Sequence, residues 1–190
     1  SMIRGKHPYL VIIDDIQKDE MERRYQWRMK MPVNIEVYDI NDNEMKLGKL
    51  SKKRNDSYSV HFSNYKTGLP IPSKGQAMLL VKVLQANQPQ NLSHQDNLKL
   101  ETLEFKKHDN SHQFTGRTAG VGKRLVIPSR SISPEYKIIM IPYRHGEKIP
   151  VISYSKDNNN VSIIWEDQSD SINFKTLPEG RTTFYHRRIK

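Results

Sequence analysis

Cysteine is absent from all 190 residues, which excludes disulfides, zinc–thiolate centres and cysteine nucleophiles. Its absence leaves the compartment open. No apolar run approaches the roughly 20 residues that a membrane-spanning helix needs, and no stretch reads as a secretory leader. Ser1-Met2 reads as a cloning remnant ahead of Ile3, so the chain is expected to be a piece of a longer protein. A phosphate loop is also missing. In Gly120-Val121-Gly122-Lys123 the motif G-x-x-x-x-G-K would need glycine at Arg117, and Ser or Thr at Arg124. Apolar residues at helical spacing are scarce.

What the chain has instead is alternation. Tyr25-Gln26-Trp27-Arg28-Met29-Lys30-Met31, Ile35-Glu36-Val37-Tyr38 and Tyr58-Ser59-Val60-His61-Phe62 each alternate large and polar residues. Such a period puts one face of a strand in a core and the other in water. About a dozen such runs predict an all-β fold, a large antiparallel β-sandwich spanning 1–190 as one domain. An apolar fraction of 35% and a mean hydropathy of −0.77 fit sheets with solvated faces.

Residues 9–16 and 77–85 are continuous apolar runs and predict buried strands, the second preferred over a short helix for its Val81 and Val83. Residues 136–143 predict a third, with Pro142 marking an edge or bulge. Hairpins are expected around Asn41-Asp42-Asn43 and around 156–160. Residues 125–127 predict a short strand stopped by Pro128. Residues 67–75 predict a long surface loop, and 87–97 the least ordered stretch.

Thirty-one Lys and Arg face twenty-one Asp and Glu, a formal charge of +10. Nucleic acid, acidic polysaccharide and anionic membrane surfaces all suit that balance. The densest basic and aromatic segment is 23–30. Arg24, Arg28 and Lys30 share one parity, and Tyr25 and Trp27 the other. Arginine forks match carboxylate or sulfate, so Arg24, Arg28 and Lys30 are the candidate anion contacts. Trp27 and Tyr143 are candidate sugar-facing walls, and core packing is the competing reading for both. Arg144 and His145 follow the strand at 136–143 in a polar loop, where binding residues gather.

Other constellations are weaker. His108 and His112 stand four apart, but Asp109-Asn110-Ser111 between them predicts a turn, and the remaining histidines are scattered. Asp14 and Asp15 are neighbours on a strand and point to opposite faces. Glu166, Asp167 and Asp170 lack the spacing of a calcium loop, and turn chemistry is the preferred reading. No metal or other cofactor is expected.

Residues 8–16, Tyr25-Gln26-Trp27 and Pro32, then residues 137–147 with Pro150, and finally 165–174 with Arg181-Thr182, together resemble the β-sandwich half of heparinase II/III-like polysaccharide lyases. The resemblance implies a supersandwich-like C-terminal module packed on an N-terminal α/α toroid catalytic domain. It also implies β-elimination on uronate-containing polysaccharide in a secreted or periplasmic setting. Members of that family often carry histidine just before the Tyr-x-Trp pair. Here Arg23 and Arg24 stand before it and Lys30 after, and arginine cannot shuttle protons near neutral pH. The chain alone is therefore expected to bind acidic glycan without lyase activity. A stand-alone carbohydrate-binding module is the alternative. A basic nucleic-acid-binding β-protein is less favoured, since no aromatic pair is set in a basic strand as a stacking platform.

Overall fold

The computed structural model describes residues 1–32, 35–41, 44–47, 58–64, 74–85, 99–105, 120–155 and 159–190. Among them every regular element is a strand and none is a helix. The largest sheet has seven strands, in the order β1 (Met2–Ile3), β2 (Tyr9–Asp15), β10 (Glu135–Arg144), β7 (Ala77–Gln85), β6 (Tyr58–Asn64), β4 (Ile35–Asn41) and β5 (Glu44–Leu47). A three-stranded sheet has the order β3 (Arg23–Pro32), β9 (Gly120–Ser131) and β8 (Lys99–Phe105). The third sheet is a four-stranded meander of β11 (Val151–Ser155), β12 (Asn160–Ile164), β13 (Ser169–Thr176) and β14 (Thr182–Arg188). All neighbours run antiparallel.

Alternation along β10 explains how these sheets stack. Ile138 and Met140 join Val81 and Val83 of β7 and Leu125 and Ile127 of β9 in one buried cluster. Ile139 and Ile141 point the other way. They join Val11, Leu80 and Leu84 with Val161, Ile163, Ile172 and Phe174 of the four-stranded sheet. The seven-stranded sheet is thus covered on both faces at β2, β10 and β7. A strand buried on both faces must be apolar at successive positions, which is why those three segments are continuous runs. Each fully buried aliphatic side chain contributes about 1.5–3 kcal/mol.

The hairpin expected at Asn41-Asp42-Asn43 forms between β4 and β5, with Asn41 opposite Glu44. The one expected at 156–160 joins β11 to β12, with Ser155 opposite Asn160. Pro128 does not stop its strand. β9 runs through it to Ser131, paired with β3 throughout, and the described ladder to β8 ends at Val126 opposite Lys99. The proline lies beyond the described part of that ladder, and a proline is tolerated in a sheet where its missing N–H costs no ladder bond. Pro142 obeys the same rule: the β2 ladder ends at Met140, while Pro142 stays opposite Leu79 of β7. The irregularity in β10 falls between Lys137 and Ile138 instead. The His108/His112 pair, the loop at 67–73 and the stretch at 87–97 lie outside the described residues.

Candidate functional site

The side chains of β3 divide as their alternation demands. Arg24, Gln26, Arg28 and Lys30 are exposed, while Tyr25, Trp27 and Met29 are half-buried. Across the ladder Arg24 stands opposite Arg130 and Lys30 opposite Arg124. Residues directly opposite in an antiparallel pair share a face, so five cations lie on the outer side of the β3–β9 ribbon. Gln26 organises the middle of this row. Its Oε1 accepts a hydrogen bond of 2.9 Å from Arg28 Nε. Arg130 Nε pairs with Glu22 Oε2 at 2.8 Å, and the β8 register sets Glu101 opposite Arg124. Arg23, of the other parity, is bound to Asp19, whose carboxyl its guanidinium holds below the usual range.

The remaining sequence candidates do not join this row. Trp27 packs against the cluster between β7, β9 and β10. Tyr143 packs on the opposite side of the central sheet, and burial pushes its hydroxyl pKa up. The two aromatics therefore face different layers and cannot wall one groove. Arg144 is exposed, and its Nη1 donates to the Gly75 carbonyl at 2.9 Å. His145 is half-buried, with its backbone bonded to Gly75 and Gln76 and its Nδ1 buried without a hydrogen bond. Arg144 and His145 thus fasten the start of β7 to the end of β10.

A second constellation centres on Asp170, which is fully buried. Arg188 Nε donates to Oδ1 at 3.0 Å and its Nη2 to Oδ2 at 3.2 Å. Tyr9 Oη and Gln168 Nε2 each donate to Oδ2 at 3.0 Å. His186 Nε2 lies 3.2 Å from Oδ2 without the alignment of a hydrogen bond. Burial alone raises a carboxyl pKa, but Arg188, His186 and Tyr9 outweigh it and leave Asp170 below its ordinary value. Burial, then the Asp170 charge, drives the Tyr9 hydroxyl upward. Around this centre His7 stacks on Trp165 at 5.2 Å, and Trp165 lies 5.8 Å from the Tyr9 ring. Asp167 takes Lys6 and His7, which pull its pKa down to about 2.

Sequence reasoning missed this centre because it treated the histidines as scattered and the acids as turn residues. One signal was present. Asp170, Ile172 and Phe174 share a parity along β13, and that parity faces the core. His186 and Arg188 share the inward parity of Phe184 on β14, opposite Ile172 and Asp170. An acid and its cation at matched inward positions mark a buried pair.

No family model matches this chain, and neither a curated protein nor a solved structure does. The chemistry of each site is therefore read from its geometry. Asp170 and Tyr9 are enclosed and cannot meet a polymer, so their cluster acts as an internal clamp between layers. Among the described residues no group of His, Asp and Glu is arranged to hold a metal ion, and no helix is long and apolar enough to cross a membrane. The β3 side of the row is exposed and cationic, while on β9 Arg124 is half-buried and Val126 and Pro128, between it and Arg130, are buried.

Proposed function

We propose that this chain is a β-sandwich module that binds acidic polysaccharide through the outer face of β3 and β9. The supporting observation is the exposed row of Arg24, Arg28 and Lys30, extended across the ladder by Arg130 and Arg124. Alternate residues along a strand are about 6.6–6.8 Å apart, and neighbouring strands about 4.8 Å. Such a lattice of cations suits a polymer whose carboxylates or sulfates recur along its length. Bidentate arginine contacts would set register, and lysine would add a point charge. Trp27 and Tyr25 face inward, so recognition here is electrostatic rather than by ring stacking. The same fact disfavours single-stranded nucleic acid, which stacks its bases on exposed aromatics.

We read the three layers as supersandwich-like, and the lyase resemblance would put the module beside an N-terminal catalytic toroid. In that setting it would hold the anionic chain while the partner domain performs elimination. No base or acid is assigned to this chain. The test is binding to heparin, chondroitin sulfate, alginate, a neutral glucan and single-stranded DNA at about 150 mM salt, where exposed charges are screened beyond a Debye length of about 8 Å. Selective binding of one acidic glycan, lost in Arg24→Ala/Arg28→Ala/Lys30→Ala, supports the reading. Equal binding of every polyanion, fading together with salt, refutes it.

A further inference from the structure

The outward face of the four-stranded meander carries a second and chemically different surface. Register places Ser153, Ser162, Ser171 and Arg187 in one row across the four strands. The next row holds Ser155, Asn160, Asn173 and Tyr185. Lys175 and Thr183 follow at one end, and Val151, Ile164 and Ser169 close the other. The inward parity of these strands supplies the core, with Val161, Ile163, Ile172 and Phe174 all buried. Among the described residues none of the outward positions is a carboxylate, whereas two are cations. The acids in the β12–β13 turn are already engaged, Glu166 by Lys148 and Asp167 by Lys6 and His7.

We infer that this face is a second binding surface for an anionic, hydroxyl-rich glycan chain, distinct from the β3–β9 row. Charge complementarity selects the occupant, because the face has cations and no acid to repel a uronate or sulfate. Serine and asparagine offer donors and acceptors on short side chains. Tyr185 is 61% exposed, a rigid amphipathic ring of the kind that gives contact area at small entropic cost. Arg187 stands two residues along the same strand, within reach of a charge on a sugar seated against Tyr185. Asn160 Nδ2 donates to Ser171 Oγ at 3.0 Å, which fixes the polar array beside them. At strand spacings the four strands make a platform about 14 Å wide, enough for a short oligosaccharide laid across it.

The test is calorimetric titration of the intact chain with sulfated and uronate oligosaccharides, a neutral gluco-oligosaccharide and single-stranded DNA. Tyr185→Ala/Arg187→Ala is expected to weaken acidic-oligosaccharide binding about tenfold, a change of about 1.4 kcal/mol. Asn173→Glu, which puts a negative charge mid-face, is expected to weaken it at least as much. Both variants change exposed residues, and an unaltered thermal midpoint shows that they fold. Unchanged affinity in both variants overturns the inference, as does equal loss of the neutral sugar in Asn173→Glu. DNA binding that these variants abolish, or concentration-dependent self-association lost in Tyr185→Ala, overturns it too. The β3 triple variant read beside them separates the two surfaces: loss in one set alone condemns the other site only.

Discussion

Replacing Asp170 by alanine tests the internal clamp most directly. The carboxylate is fully buried and takes four hydrogen bonds, two from Arg188 and one each from Tyr9 and Gln168. Removing one partner of a buried pair typically costs about 3–5 kcal/mol. Arg188 keeps access to water, with about a third of its side chain exposed, so its loss is cushioned. Tyr9 has no such escape, and a buried donor left unmade costs about 1–3 kcal/mol. We therefore expect Asp170→Ala to cost about 3 kcal/mol. With an m-value of about 2–3 kcal/mol/M in urea, the unfolding midpoint falls by about 1–1.5 M. Asp170→Asn keeps an acceptor and the side-chain shape and should lose about half as much. The pH dependence has a definite sign. Asp170 titrates below its ordinary value in the fold, so its stabilisation is complete above the unfolded carboxyl pKa of about 3.9. It is lost as pH falls through the depressed folded value, and Asp170→Asn should remove that part of the acid sensitivity. A midpoint for Asp170→Ala within about 0.3 M of the parent would refute the idea that this carboxylate ties the layers together.

Three further outcomes follow from the same geometry. Gly5→Ala should destabilise by about 1–3 kcal/mol, because its Cβ would collide with the Arg188 guanidinium and its φ of 153° strains any side chain. Denaturation in an Arg188→Ala background should show part of that cost relieved, the remainder being backbone strain, and an undiminished cost would mean that the collision contributes nothing. Asp167 is held at about 2 by Lys6 and His7. Its tie to the N-terminal segment should therefore persist through mild acid and fail only as pH nears that value, and amide exchange at residues 1–8 reads this. Early loss near pH 4 would contradict it. Ile138→Ala and Ile139→Ala should each cost about 2–5 kcal/mol, since adjacent residues face different buried clusters. Chemical denaturation showing one of the pair below about 1 kcal/mol would mean that one face of the central sheet is solvated.

That last pair also shows where the sequence was readable. Alternation identified strands because a side chain on a pleated strand has only two directions, and the continuous runs in β2, β7 and β10 announced strands with no wet face. The number of sheets was not readable. A doubly buried strand states that both sides are covered without stating by what, and the answer lies in long-range pairing such as Trp27 opposite Ile127. Parity put Trp27 and Arg28 on opposite faces, but only the packing of β9 against the central sheet showed which face was inside.

The Asp170 cluster marks a different limit. Parity alone placed Asp170 with Ile172 and Phe174, and a buried acid demands a buried partner. The sequence holds many cations that could serve. What selects Arg188 is the β13–β14 register, which sets it directly opposite Asp170. What brings Tyr9 and His7 there is the crossing of β2 beneath that hairpin. Tyr9 Oη contributes its hydrogen bond from another sheet, and the N-terminal segment contributes the Arg4 carbonyl to Arg188. A charge cluster drawn from both chain ends forms only after the layers have stacked, so it reports completion of the fold. By the same logic the two proposed binding surfaces differ in what they require. The β11–β14 face needs only hairpin register to array its side chains, whereas Arg124 and Arg130 join the β3 row only through the long-range pairing of β3 with β9.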